Sequence, residues 1–402
     1  MDALAGVRII DFSWAMAGPY ATELLSFMGA EVIRVESMTQ LDVTRTQPHP
    51  ITKLPFDPDQ AYYFMDANLN KLGIRLNLSQ PQAVALAKKL VEVSDVVVES
   101  FRPGVMTRLG LSYEVLREVK PDIVMLSTSA AGASGPESQY AGYAPLFSAV
   151  AGLGELTGYP DGAPTEMRMT VDTLNAFANA LAILAALNYR RRTGQGQYID
   201  ASSEEGVACV IGDSLMDFAM NGRVQSRVGN RDEAMAPHNC YPCLGEDRWV
   251  SIAVATDEEW RALCQAMGRP ELAEDERFCD AYVRWQNQEE LDRLIEEWTR
   301  NYTPYEVMHR LQAVGVAAVP SFDGQDMFSD PHLNERQAFQ IIEHPVIGSC
   351  VVLSPPWQLS ATPARITRHA PLLGEHNSYV FGGLLGLSAA EIARLEAEGV
   401  LW

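Results

Sequence analysis

The sequence predicts an α/β protein, with a Rossmann-like large domain on a parallel sheet and a smaller α+β domain. Three observations predict it. Short β-branched runs alternate with amphipathic segments from Val7 to Ser202, the pattern of a parallel sheet covered on both faces. The first of these form a βαβ unit whose second strand ends on an acid. Beyond Gly222 the texture shifts to charged helical segments around a hairpin, and 402 residues suit two domains better than one.

Taken in order, Val7 to Phe12 reads as a strand, and a Gly-Pro turn follows at Gly18-Pro19. Tyr20 to Met28 reads as a helix closed by Gly29, and Glu31 to Glu36 as the second strand. Gln82 to Val93 and Tyr113 to Val119 read as helices, each leading to a buried-type strand, Asp95 to Glu99 and Asp122 to Ser127. Gly132 to Gly142 is a loop after a strand end, where open α/β sheets bind ligands. A long apolar helix then runs to Arg190-Arg191-Arg192 and stops at Gly194, with Tyr198 to Ser202 as one more strand. After a short linker come a hairpin at Cys240, helices at Glu258 to Met267, Gln288 to Asn301 and Tyr305 to Val314, and a strand at Val316 to Val319. Gln337 to Leu359 is strand-like again, and Ser388-Ala-Ala-Glu391 is a capping box on a helix that stops at Gly399. The expected bounds are 1–205 for the first part of the large domain, 206–225 for a linker helix region, 226–330 for the small domain and 331–402 for the C-terminal segment.

Composition removes several classes of function. With 47% hydrophobic residues the chain can bury a large core, and a net charge of −21 argues against a nucleic-acid partner. A small anion is still admissible, because a local basic pocket can sit on an acidic surface. The N-terminus has neither a basic start nor an apolar signal core. The longest apolar segment, Leu174 to Leu187, is broken by Asn175 and Asn179 and falls short of the ~20 residues that span a bilayer. The expectation is a soluble, cytoplasmic protein with no membrane contact. Of six cysteines only Cys240-Tyr-Pro-Cys243 has suggestive spacing. No second ligand pair follows, and the motif runs into a turn and strand rather than a helix, so it reads as two ordinary cysteines in a hairpin. No metal or redox cofactor is expected. A dinucleotide enzyme is disfavoured too, because Ser13-Trp-Ala-Met-Ala-Gly18-Pro19 carries one glycine where the phosphate-binding turn needs three.

Asp172 is the residue of greatest interest. It stands at the head of the long apolar helix, where Asp is a favoured N-cap. The same placement orients a nucleophilic carboxylate, holds it ionised through the helix dipole and exposes it at the end of a rigid element. The two readings are compatible, and local chemistry does not choose between them.

Several motifs converge along the chain: Leu4-Ala-Gly6-Val-Arg-Ile-Ile-Asp11, Ala17-Gly-Pro19, Gly29-Ala-Glu31-Val-Ile-Arg-Val-Glu36, Asn70-Lys71-Leu-Gly73-Ile, Val98-Glu-Ser-Phe101-Arg-Pro-Gly104, Leu109-Gly-Leu, Arg192-Thr-Gly194-Gln-Gly196-Gln and Ala370-Pro-Leu-Leu-Gly374-Glu375-His. In order and spacing they resemble the class III CoA-transferase family, which includes formyl-CoA and carnitine CoA-transferases and the α-methylacyl-CoA racemases. The resemblance places the catalytic Asp just before this helix, which is Asp172, and implies covalent transfer through an aspartyl anhydride and an aspartyl-CoA thioester. The expected partners are an acyl-CoA donor such as succinyl-CoA and a carboxylic acid acceptor, and coenzyme A enters as substrate with no permanently bound cofactor. CoA is expected along Asn70, Lys71, Arg75, Phe101, Arg102 and Arg108, with Phe101 against the adenine. The substrate pocket is expected at Trp14, Met16, Ala17, Tyr143 and Asn230, with Gly229-Asn230-Arg231 as a lid.

The family also implies open-ring subunits interlocked in a dimer, with the C-terminal segment returning to the large domain. A homodimer is expected, and a heteromer with a related chain is the alternative. The chain departs from the pattern in three places. Ser37-Met38 stands where a basic residue is usual, Met16 where some transferases have Gln, and Tyr143-Ala144 where Tyr-Asp or His-Asp is usual. The last departure bears on the racemase alternative, which needs two bases for proton transfer. Tyr143 replaces the histidine, and no other histidine occurs between His49 and His238. A non-catalytic partner subunit is the third reading, and the intact Asp172 argues against it.

Overall fold

A computed structural model describes residues 2–46, 57–167 and 169–402, so His49 lies outside the described residues. The described chain divides into two units. The larger holds residues 1–154, 166–223 and 334–402, and the smaller 155–165 and 224–333. The smaller unit thus recruits 155–165 from the middle of the larger one, an exchange that no composition shift in the sequence marks.

Apolar β-branched residues build the sheet of the larger unit. Its strands are β1 (Arg8–Asp11), β2 (Glu31–Glu36), β3 (Leu72–Arg75), β4 (Val96–Glu99), β5 (Val124–Ser129) and β6 (Tyr198–Ser202). All pairings are parallel, in the order β3-β2-β1-β4-β5-β6. That is the doubly wound order, in which the direction of winding reverses between β1 and β4 and opens a crevice at their carboxyl ends. β3 escapes sequence reading because it is four residues long and contains Gly73, whose missing Cβ leaves room for the carbonyl of Leu372 and the ring of Pro371.

Three helices flank the first strands: α1 (Ala17–Phe27), α2 (Pro81–Glu92) and α3 (Val105–Arg108). The expected turn at Gly18-Pro19 is instead the first turn of α1. Proline is tolerated there because that N–H has no intrahelical partner anyway. α4 (Tyr113–Val119) and α5 (Ala144–Val150) follow. α6 (Met169–Thr193) begins three residues before Asp172, so Asp172 lies inside the first turn and is not the N-cap. With 25 residues, α6 is also longer than its apolar stretch suggests and is, among the described residues, long and apolar enough to cross a membrane. Its buried residues Val171, Asn175, Ala176, Asn179, Ala180, Ile183 and Ala186 recur at helical spacing on one face. Ala176, Ala180, Ile183 and Ala186 pack with Ile9, Leu24, Val96 and Leu126 of α1 and the sheet. α7 (Gly212–Asn221) ends on Gly222 with φ +69°.

The smaller unit carries an antiparallel sheet of β7 (His238–Pro242), β8 (Trp249–Ala253) and β9 (Ala317–Pro320). Helices α8 (Asp257–Ala266), α9 (Gln288–Thr299) and α10 (Pro304–Gln312) cover one side of it through Tyr241, Val250, Ile252, Trp260, Leu291 and Val307. Cys240 and Cys243 are free thiols of this hairpin, with Cys243 buried. In the larger unit, β10 (Phe339–His344) and β11 (Gly348–Leu353) form an antiparallel hairpin, and α11 (Ala389–Ala397) keeps the capping box of Ser388 and Glu391.

A buried ion network ties the sheet together below the crevice. Asp11, the last residue of β1, is fully buried. Its Oδ2 accepts the Lys71 ammonium at 2.9 Å and the Thr22 hydroxyl of α1 at 2.7 Å. Its Oδ1 accepts the Ser13 N–H at 2.9 Å, and Arg34 of β2 lies at 3.5 Å. Burial raises this carboxyl; Lys71 and Arg34, with the Ser13 and Thr22 hydroxyls, overcome it and hold it at about 2. Arg34 also pairs with Asp42, and Arg45 makes a two-point contact with Glu36 while stacking 3.4 Å from the centre of the Phe64 ring.

Lys71→Met leaves Asp11 as an uncompensated buried charge and is expected to cost about 3–5 kcal/mol of unfolding free energy in urea titrations at neutral pH. The folded pKa of Asp11, about 2, lies below its ordinary 3.8. Its contribution to stability is therefore full above pH 4 and is lost as pH falls from 4 towards 2. In Asp11→Asn that acid-side slope is reduced, which urea midpoints across this range measure.

Candidate active site

The crevice at the carboxyl ends of β1 and β4 is closed by two facing loops. The Trp14 N–H donates to the Ser100 hydroxyl at 2.7 Å, and the Trp14 and Phe101 rings meet edge to face at 5.8 Å. Ala15, in the left-handed region at φ +62°, donates its N–H to the Asp42 carboxylate at 3.3 Å. With Ser13 bonded to Asp11, three successive N–H groups of this loop are committed to side chains. In a dinucleotide fold such groups would face a pyrophosphate. Here the loop is braced instead, and those N–H groups face side chains of the chain itself.

Sequence reading missed Glu99, the last residue of β4. It is 4% exposed, accepts the Phe101 N–H at 2.7 Å and the Ser127 hydroxyl, and so shapes the loop carrying Phe101. Burial pushes its carboxyl up to about 7, against the Ser127 and Phe101 hydrogen bonds. The only signal in sequence is an acid closing a run of valines. Beyond Phe101, Arg102 and Arg108 are exposed, and their guanidinium groups make no ion pair among the described residues. Gly104, at φ +86°, lets the chain turn so that Arg108 folds back beside it.

Asp172 belongs to the same edge of the sheet. α1 follows β1 and α6 follows β5, so both helices start at the carboxyl ends and run back parallel to each other. Tyr20 of α1 and Phe177 of α6 meet edge to face at 6.2 Å, about one turn below Met16 and Asp172. Asn179 donates to the Thr128 hydroxyl at the end of β5 at 3.2 Å, and Asn175 donates to the carbonyls of Val171 and Ser203. These amides fix the helix on the sheet edge. Gly18 is required here, because a Cβ at that position would run into the Ser13 side chain.

The dipole of α6 favours an ionised Asp172, but burial outweighs it and pushes the carboxyl up to about 6. The group is still mostly ionised at neutral pH and is a stronger nucleophile than an exposed Asp. Val171 packs with Ala144 and Phe147 of α5, which brings the Tyr143 segment beside the first turn of α6, with the Tyr143 side chain exposed.

Other expected site residues go elsewhere. Lys71 has no N–H free for a phosphate, because its ammonium bonds Asp11, the Pro19 carbonyl at 2.7 Å and the Asn68 amide oxygen at 2.9 Å. Burial lowers the pKa of this ammonium, and the Asp11 and Glu23 carboxylates oppose that only in part. The Asn70 side chain is equally occupied. It accepts the N–H groups of Thr367 and Arg368 and donates to the Arg365 carbonyl, clamping the C-terminal segment. Arg75 sits at the outer edge strand, 4.0 Å from Glu396 and 5.7 Å from the Trp402 ring. Asn230 belongs to the smaller unit, where the expected lid is fastened at several points. The Gly229 N–H donates to the Gly158 carbonyl, the Asn230 amide to the Tyr159 hydroxyl, and the Asn230 carbonyl accepts from His238.

Comparisons with known proteins identify the family and the fold. Residues 4–377 match CoA-transferase family III. A succinyl-CoA–D-citramalate CoA-transferase of Chloroflexus aurantiacus is 35% identical over 99% of this chain and 98% of its own. The beta subunit of a succinyl-CoA–L-malate CoA-transferase from the same organism is 32% identical over the same shares. The crystal structure of a CAIB/BAIF family protein from Brucella suis superimposes with a TM-score of 0.86 at 29% identity, covering 95% of this chain and 99% of that one. With the doubly wound sheet, the crevice and Asp172 in place, the chain belongs to CoA-transferase family III and is a CoA-transferase.

Proposed function

We propose that this enzyme moves CoA from succinyl-CoA to a short carboxylic acid by covalent catalysis at Asp172. The observation that carries the reading is a half-buried carboxylate in the first turn of α6, at the carboxyl edge of the sheet, raised to about 6 and still ionised at neutral pH. The two transferases named above support the donor and the class of acid.

In this reading an oxygen of Asp172 attacks the thioester carbonyl of the donor. The C–S bond breaks, and CoA leaves as thiolate from a mixed anhydride. The thiolate then attacks the Asp172 carbonyl carbon, expels the donor acid as carboxylate and leaves an aspartyl-CoA thioester. The acceptor carboxylate attacks that thioester, releases the thiolate again, and the thiolate attacks the acceptor carbonyl of the new anhydride, restoring Asp172. Each tetrahedral oxyanion needs donors, and the first-turn N–H groups of α1 at Ala17 and Gly18 lack intrahelical partners. Phe101 offers the adenine a ring, and Arg102 and Arg108 offer the phosphates charge-assisted hydrogen bonds.

Tyr143 is a phenol with no neighbouring histidine in sequence, so the second base of a racemase is missing from that segment. The functional form in this proposal is a dimer with a second copy or a related chain. Leu215, Met216, Phe218 and Met220 of α7 each expose more than half of their surface, which supports a covering partner.

Peptide mass spectrometry after incubation with succinyl-CoA is expected to find a CoA adduct on the peptide holding Asp172. The adduct should be lost with hydroxylamine and absent in Asp172→Asn. Its absence with succinyl-CoA and with other acyl-CoA esters removes the mechanism. The pH profile of kcat/KM is expected to rise through about pH 6 as Asp172 ionises. Because an ionised Asp172 is disfavoured by burial, folding gives up stability as pH rises from the ordinary 3.8 to about 6. Asp172→Asn is therefore expected to melt no lower than the native enzyme at pH 7, so that its loss of activity is chemical.

A further inference from the structure

Glu99 is a buried acid that the transfer chemistry leaves unused, and the register of the sheet shows what it holds. Glu99 pairs with Ser127 of β5, and Ser127 pairs with Asp200 of β6, so the three side chains stand in one row across three strands. Asp11 pairs with Val98, so these two share one face of the sheet and Glu99 points to the other. On the first face Ile9, Val98 and Leu126 pack with Ala176 and Ala180 of α6, the helix that carries Asp172. On the second, Val97 and Met125 pack with Leu86, Leu90 and Leu116 of α2 and α4, and Phe101 and Tyr113 lean on that cluster. The sheet thus stands between Glu99 and α6.

The row holds two crevice loops. Glu99 accepts the Phe101 N–H at 2.7 Å in the loop after β4, and the Ser127 hydroxyl donates to its other oxygen. Asp200 accepts the Ala133 N–H at 2.8 Å in the loop after β5. The next residue after Glu99, Ser100, ties the same loop to Trp14 by accepting its N–H. Phe101 is therefore fixed twice: Glu99 sets its backbone, and Ser100 sets its approach to the Trp14 ring. Because Glu99 is buried, truncating it leaves the Phe101 N–H and the Ser127 hydroxyl without their acceptor. Burial, with the Asp200 charge added, holds the carboxyl at about 7, so both its forms are populated at neutral pH. Glutamine reproduces the neutral form: its oxygen accepts the Phe101 N–H, and its nitrogen donates to the Ser127 oxygen.

We propose that Glu99 is a positioning residue for the acyl-CoA substrate, acting through the Phe101 N–H to present the Phe101 ring and the following Arg102 to the nucleotide end of CoA. The proposal rests on the reading that the Phe101 loop receives CoA, which its place at the β1/β4 crevice supports. What the register adds is a separation of roles. Glu99 acts across the sheet from α6, so its loss falls on CoA affinity and spares the chemistry at Asp172.

The test is calorimetric titration of coenzyme A into the full chain, beside the rate of adduct formation on Asp172 at saturating succinyl-CoA. Glu99→Ala is expected to weaken CoA by about tenfold, and Glu99→Gln by no more than about twofold. The adduct rate of Glu99→Ala at saturation is expected to stay within about threefold of native. Phe101→Ala is expected to weaken CoA by about tenfold as well. Should Glu99→Ala fail to fold, Ser127→Ala, which removes only the hydroxyl behind the carboxyl, is expected to weaken CoA by about threefold. Undiminished CoA binding in Glu99→Ala and Ser127→Ala, equal losses in Glu99→Ala and Glu99→Gln, or an adduct rate that falls as far as the affinity overturns the proposal. Native CoA binding in Phe101→Ala removes the CoA reading of the loop and the proposal with it, whereas a loss in Phe101→Ala with none in Glu99→Ala removes the proposal alone. The titrations need no thioester, so an absent adduct removes the covalent mechanism and leaves them to decide.

Discussion

The carboxylate of Asp11 is the constraint on which the larger unit depends. It is the last residue of the central strand and has no exposed surface. Its two oxygens gather the Ser13 loop, the α1 hydroxyl of Thr22, the β2 guanidinium of Arg34 and the Lys71 ammonium that leads into β3. A buried charge of this kind is stable only when fully answered, so four segments must arrive together or the fold is strongly penalised. The network sets the position of β1 against β2 and β3, and it fixes the loop that forms one wall of the crevice.

The same bracing decides what chemistry the crevice suits. A doubly wound sheet usually offers the N–H groups after β1 to a ligand phosphate. In this chain Asp11, Ser100 and Asp42 consume those groups, and the loop becomes a rigid shelf for Trp14 and Phe101. Across the sheet edge, α6 is anchored by Asn175 and Asn179 and presents Asp172 at its mouth. Two opposing forces act on that carboxylate. The helix dipole favours charge and burial disfavours it, and burial has the larger effect. The outcome is an acid that is ionised at neutral pH and poorly solvated, the condition a nucleophile needs.

Much of this was readable in the sequence. The strands at Glu31 to Glu36 and Tyr198 to Ser202 and the helix at Tyr113 to Val119 match their expected limits, because alternation and flanking turn residues fix them locally. Asp172 at the head of an apolar helix was equally plain. The failures share a physical cause, which is that they depend on partners distant in sequence. Lys71 reads as a CoA contact until β3 is placed, and it is placed only by its pairing with β2. Asn70 reads as a ligand contact until the C-terminal segment returns to occupy its amide. Glu99 looks like a strand-ending surface acid, and only the neighbouring strand shows that Ser127 and Phe101 enclose it.

The most direct test of the account is a crystal structure of the enzyme soaked with succinyl-CoA and frozen during turnover. The account predicts continuous density from the Asp172 carboxyl to the CoA sulfur, with the adenine beside Phe101, the phosphates within reach of Arg102 and Arg108, and Lys71 still bonded to Asp11. A thioester formed on any other side chain, or CoA phosphates seated on the N–H groups of Ser13 to Ala15 with the Asp11 network opened, would contradict it.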